Sequence, residues 1–262
     1  MMRILTILLL GIMLLSGCGK GTTSADKPLV VGMDLSYPPF EMIDAAGKPS
    51  GVSVDLARAL GESLRRPVRI ENIPFTGLIP SLLTGKIDVV ISSMTDTPER
   101  RKAIAFSDPY LTIGLALLAG KNSGLTTAVE LDRPGKTVAV RQGTTAQVWA
   151  KEHLKKAKVL VLDKESSAVL EVVQGKADGF LYDQMSVWKH HQEHPIETVA
   201  LLRPVQTESW AIALRPGDTE LREQVNAFLK SFRASGGFDR LGNTYLKDQK
   251  EAFAKAGIPF YF

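Results

Sequence analysis

One pattern is written twice in this chain, and it limits the possible folds more than any other feature. Ser81 to Ser93 (SLLTGKIDVVISS) and Leu170 to Asp183 (LEVVQGKADGFLYD) superimpose on Gly-Lys-x-Asp. In both copies apolar residues at helical spacing stop at a glycine, and a lysine follows at the negative end of the helix. An apolar strand then runs out into a polar side chain. The surrounding chain alternates in the same way. Leu29 to Met33 reads as a buried strand opening into the turn-rich Asp34 to Pro39, Val54 to Leu64 as a helix stopped by Pro67, and Val68 to Ile70 as a strand. Leu78 to Thr84 reads as a helix and Ile87 to Ile91 as a strand. Strands alternating with short helices predict parallel βαβ units and an α/β fold. Two copies predict two α/β halves, each presenting a polar group at a strand's carboxyl end, where open α/β sheets place ligands.

Two long apolar segments flanked by Pro and Gly, Pro109 to Lys121 and Gln206 to Pro216, have the character of extended strands passing between the halves. Two crossings make a hinge. The expected organisation is a first lobe over 28–112, a second over 113–208, and a return to the first over 209–262, with an amphipathic helix at Leu221 to Phe232. The 44% hydrophobic and 23% charged residues are enough for a core in each half and exclude a disordered or polytopic membrane chain.

The amino terminus carries Arg3, an apolar run from Ile4 to Leu15, and then Leu15-Ser16-Gly17-Cys18. The run is shorter than the roughly 20 residues a membrane-spanning helix needs, and 1–17 reads as a secretory signal peptide. Leu-Ser-Gly-Cys resembles the bacterial lipobox, which implies lipidation of Cys18, the sole cysteine of the chain, and a lipid anchor in a membrane. Residues 18–27, without large apolar side chains, form a tether. The expected location is the periplasm or cell surface. A net charge of +4, scattered, on an exported chain excludes nucleic acid as the partner.

Ser92-Ser93-Met94-Thr95 puts hydroxyls at a strand end, and Thr97-Pro98-Glu99 is a helix start. Arg100 follows, and its guanidinium fork matches a planar carboxylate. His190 and His194 share a helix face, but no third metal ligand accompanies them, so the favoured reading is a solvated helix end and no metal.

Asp34-Leu35-Ser36-Tyr37-Pro38-Pro39-Phe40-Glu41, Gly51 to Leu56, Ser93-Met94-Thr95 with Pro98-Glu99-Arg100, Phe106 to Tyr110, and Gln142-Gly143-Thr144-Thr145 together resemble the bacterial extracellular solute-binding proteins of family 3. The resemblance implies a periplasmic-binding-protein-like, type II two-lobed fold. It further implies an amino-acid receptor that closes about its hinge, works as a monomer without cofactor, and delivers a free amino acid to an ABC importer permease. On the matching motifs, Arg100 would grip the ligand α-carboxylate with Ser93, Thr95 and Thr144 or Thr145, and Asp183 would accept the α-ammonium. Tyr37 and Phe75 would sandwich the ligand side chain. Asp34 would meet its distal polar group, with arginine the first expectation and lysine, histidine or glutamine next; Ala146 departs from the polar residue that some basic-ligand receptors have there. Two alternatives remain. A cyclohexadienyl dehydratase-like enzyme on the same scaffold would need a protonated carboxyl; Gln184, Met185 and Ser186 offer none, leaving Glu165 and Glu208. A sensor domain would need a signalling partner.

Overall fold

The computed structural model describes residues 27–259; the expected signal peptide, Cys18 and all but the last residue of the tether lie outside them. The chain opens with β1 (Leu29–Met33) and a small antiparallel ribbon of β2 (Ser36–Tyr37), β3 (Glu41–Ile43) and β4 (Pro49–Ser50). It continues through α1 (Val52–Leu64), β5 (Val68–Asn72), α2 (Phe75–Leu83), β6 (Val89–Val90) and the short α3 (Pro98–Arg101). The long β7 (Ala105–Gly120) leads into β8 (Thr137–Arg141), α4 (Thr145–His153), β9 (Lys158–Leu162), α5 (Glu165–Val173), β10 (Gly179–Asp183) and α6 (Gln184–Glu193). The equally long β11 (Thr198–Leu214) returns, and α7 (Thr219–Ala234), α8 (Gly237–Tyr245) and α9 (Lys247–Lys255) follow.

The strands order as β5-β1-β6-β11-β7-β10-β8-β9, parallel within each flank and antiparallel where β7 and β11 run together in the middle. Both flanks are covered on both faces, which explains the unbroken apolar run at the end of β7. Leu115, Leu117 and Ala119 point into one core with Val138, Val140 and Trp149, while Ala116 and Leu118 point into another with Phe180, Val169 and Val172. The first half of β7 instead buries Phe106, Tyr110 and Leu111 in the two cores around β1, where Leu56, Leu60, Phe228 and Phe238 pack on one face and Leu78, Leu82 and Ile87 on the other. Each half of the strand therefore belongs to a different core.

The repeated pattern folds the same way twice. Gly85 and Gly175 adopt left-handed conformations, φ 75 and φ 69, and end α2 and α5. The motif aspartates then pin the first strand of their own half. Asp88 accepts the Val30 amide on its carboxylate (3.0 Å) and donates its own amide to the Val30 carbonyl (2.8 Å); Asp178 does the same with Thr137 (2.8 and 2.8 Å). Their counterions are Arg66 (3.0 Å) and Lys136 (2.8 Å), and the motif lysines Lys86 and Lys176 stay exposed.

Three expectations shift. The helix expected from Leu78 starts at Phe75, because the Asp34 carboxylate accepts the Phe75 amide (2.9 Å) and supplies a start that the local residues lack. The strand expected over Ile87 to Ile91 pairs as a regular ladder only at Val89–Val90. The histidine turn is not a solvated helix end: α6 packs across the paired strands β7 and β11, and His190 is buried, with Nε2 2.6 Å from Glu165 and Nδ1 2.7 Å from Glu193. Among the described residues no group of His, Cys, Asp and Glu could hold a metal ion.

Where β7 and β11 cross, the ladder breaks between Leu201 and Gln206, at Pro204, which has no amide to donate. Gln184 repairs the gap by accepting the Gly114 amide (3.0 Å) and donating to the Leu202 carbonyl (2.7 Å). Position 114 must be glycine here, since a Cβ would stand 2.4 Å from Pro204 Cβ.

Candidate functional site

The carboxyl ends of β1, β6, β8 and β10 converge on a gap bridged by β7 and β11. A small cavity lies there, and every residue assigned to the site from sequence lines it except Asp34. Tyr37, Phe75, Ser93, Thr95 and Arg100 come from one side, Thr144, Thr145 and Asp183 from the other. Leu115, Tyr182, Glu208 and Trp210 complete the wall.

Arg100 is placed by α3, whose start the sequence spelled out: Thr97 caps it, its hydroxyl accepting the Arg100 amide (3.1 Å), and Pro98 fills the first position. The guanidinium donates to the Thr95 carbonyl (2.6 Å) and, across the gap, to the Gly143 carbonyl (3.1 Å), with its carbon 5.5 Å from the Phe75 ring centre. Burial lowers the Arg100 pKa, and the nearby Glu208 carboxylate opposes that shift.

Asp183 ends β10 and caps α6, one carboxylate oxygen accepting the Met185 and Ser186 amides (3.0 Å each). Desolvation raises its pKa to about 7, the Glu165 charge adds to the rise, and the two amide bonds hold it back. Tyr37 is buried, stacked on Phe40 (5.4 Å between ring centres) and edge-on to Trp210 and Tyr182 (6.0 Å each). Its hydroxyl faces the Asp183 carboxylate and helps to hold that group's pKa down. Ser93 holds φ 49, a region that non-glycine residues enter at a cost of about 1–3 kcal/mol. Its hydroxyl donates to Glu41 (3.1 Å), which also accepts Ser92 (3.1 Å) and Ser53 (2.6 Å).

Burial raises the Glu41 pKa to about 8, with the three hydroxyls pulling it down. Between its unfolded value near 4.5 and 8 the folded chain therefore carries a proton that the unfolded chain has lost. That contribution to stability is complete below 4.5 and is lost as pH rises through 8, and the raised Asp183 acts in the same direction. Urea titrations of the ligand-free protein should show stability increasing as pH falls from 8 to 5, and Glu41→Gln should flatten that slope; an unchanged slope in the variant would assign it to other groups.

Asp34 stands outside this cavity, on the wall of a neighbouring open one that also includes Arg141, Glu165 and His190. Its carboxylate forms a buried ion pair with Arg141 from the opposite side of the gap and accepts the Ser36 hydroxyl (2.6 Å) and the Phe75 amide. Burial works against the Arg141 charge, but Tyr182 and Asp34 outweigh it and raise its pKa.

The sequence reading did not single out Arg141, Tyr182 or Trp210. Arg141 did leave a signal, as the one charge closing the apolar run Thr137 to Val140. Glu208 was noted only as a carboxyl for an alternative chemistry; in the structure Thr95 (3.0 Å) and Thr145 (2.9 Å) donate to it from the two sides of the gap.

The chain is similar to known proteins over nearly its whole described length. The family model of bacterial extracellular solute-binding proteins, family 3, matches residues 29–248. The L-arginine-binding protein of Pseudomonas aeruginosa is 30% identical over 250 residues, spanning 90% of this chain and 95% of that protein. Among solved structures, the arginine-bound form of truncated ArgBP from T. maritima is 39% identical with a TM-score of 0.73, covering 78% of this chain and 95% of that one. The ancestral amino acid-binding protein AncCDT-1, a precursor of cyclohexadienyl dehydratase, is 38% identical with a TM-score of 0.77, covering 83% and 94%. With the family's motifs on the walls of one interlobar gap and its model matching nearly the whole described chain, this protein belongs to the bacterial extracellular solute-binding proteins, family 3.

Proposed function

We propose that the protein is an extracytoplasmic receptor that traps a basic amino acid, arginine in the first place, and presents it to an ABC importer. The observation that carries this reading is the placement of Arg100 and Asp183 on opposite walls of one cavity, a cation facing one half and an anion the other. A zwitterion satisfies both only when the gap is shut, so binding favours the closed form. The lobes are then 28–112 with 209–262, and 113–208, with β7 and β11 as the hinge. Ser93, Thr95 and the Thr144–Thr145 turn support the carboxylate pole, and Tyr37 and Phe75 flank the side chain. The arginine-binding relatives support the choice of arginine. Because Arg141 already neutralises Asp34, we do not assign Asp34 to the ligand's distal cation. Lipidation at Cys18 would keep this monomeric receptor at a membrane near its permease.

Calorimetric titration with the twenty amino acids tests the reading. Arginine is expected to bind reversibly and be recovered unchanged, and prephenate and arogenate are expected to remain intact; silence from all twenty amino acids rejects the receptor, and loss of water from prephenate or arogenate makes the protein an enzyme. The affinity also has a calculable pH dependence. An ammonium requires Asp183 ionised, so below its pKa of about 7 the affinity should fall about tenfold per pH unit. Asp183→Asn should bind more weakly and lose that dependence.

A further inference from the structure

Glu208 sits on β11 where that strand spans the gap, and it is 6% exposed. Oε2 accepts the Thr95 and Thr145 hydroxyls, and Oε1 accepts the Gln206 side-chain amide (2.9 Å). Among the described residues it forms no ion pair, although Arg100 lies close enough to feel its charge. A buried carboxylate whose direct hydrogen-bond donors are all neutral, with Arg100 near it but not paired to it, is complementary to a further cation.

Its position says which cation. Thr95 bonds to Arg100 through its carbonyl and to Glu208 through its hydroxyl, so both charged groups cluster at the same end of the cavity. On the receptor reading, on which this inference rests, Arg100 marks the ligand α-carboxylate, and the ammonium is carried by the same carbon. The side-chain cation lies several bonds further away. An ammonium also has three N–H groups to satisfy. Asp183 has spent one oxygen on two helix amides and has the Tyr37 hydroxyl beside its carboxylate as well, which leaves it too little capacity to satisfy an ammonium alone. We propose that Glu208 is the second acceptor of the ligand α-ammonium, completing with Asp183 a two-carboxylate seat for the positive pole. Its hydroxyl donors come one from each side of the gap, so the seat is complete only when the gap is closed.

The test titrates arginine and citrulline, which differ in side-chain charge but share the α-ammonium, into the parent and Glu208→Gln. The expected result is an equal loss of affinity for both ligands, at least tenfold, with the ligand-free variant melting as the parent does. A loss confined to arginine would put Glu208 at the side-chain cation and overturn the proposal, and so would unchanged affinity for both. Glu208→Asp, which keeps the charge but shortens its reach, should also weaken both ligands equally and serves if the glutamine variant does not fold. A parent that binds no amino acid would overturn the receptor reading itself, and with it this inference, which keeps the two failures distinct.

Discussion

Replacing Arg100 with alanine is expected to abolish detectable amino-acid binding, with affinity falling at least about a hundredfold, or roughly 3 kcal/mol or more. The reason is an asymmetry in what is lost. The guanidinium is held in place by the Thr95 and Gly143 carbonyls, and the rest of the carboxylate pole offers only neutral hydroxyls and amides. Without Arg100 the ligand carboxylate is buried unpaired and faces Glu208 at the same end of the cavity. Arg100→Lys should recover part of the affinity, since it restores the charge without the planar two-pronged fork. Calorimetry on both variants, beside a melting curve of each ligand-free protein, separates binding from folding. Parent-like arginine affinity in the alanine variant would remove Arg100 from the site.

Trp210→Ala should have the largest effect on stability, about 3–5 kcal/mol by urea unfolding. The indole is 3% exposed, packs edge-on against Phe40 (5.0 Å between ring centres) and Tyr37, and belongs to the core that includes β1, α1 and α7. Its backbone also forms a bridge to Thr95, so the segment that carries Thr95 and leads into Arg100 rests on it. Truncation opens a cavity between the first core and the cavity floor, and Tyr37 loses its edge contact. Arginine affinity should therefore weaken along with stability, unlike a variant that only empties a remote part of the core. A loss under 1 kcal/mol would mean that Tyr37 and Phe40 repack into the space.

Much of this was legible one segment at a time. The two glycine-stopped helices, the cap at Thr97 and the two crossing strands can be read from the chain, because each depends on local chemistry: a left-handed glycine, a hydroxyl three residues before an amide, an apolar run between turn residues; eight residues of the cavity wall came instead from the resemblance of motifs to a known family. Asp34 shows where such reading ends. The motif around it points toward a ligand contact, yet its carboxylate is satisfied by Phe75 and Arg141, one 41 and the other 107 residues away. Glu208 is the converse, an ordinary polar residue in a strand until Thr95 and Thr145 close around it.

The α/β alternation, the duplication of the central unit and the strands between the halves are written into the chain itself, since they follow from spacing and turn chemistry carried within short stretches, and the family is written there as a set of motifs that resemble its members. The fold alone settles which buried charges the protein pairs with one another, as Asp34 with Arg141, and which it leaves without an internal counterion. That pairing depends on contacts between segments far apart in the chain, and charge satisfaction in a dry cavity is set by what lies across the gap and leaves no local trace.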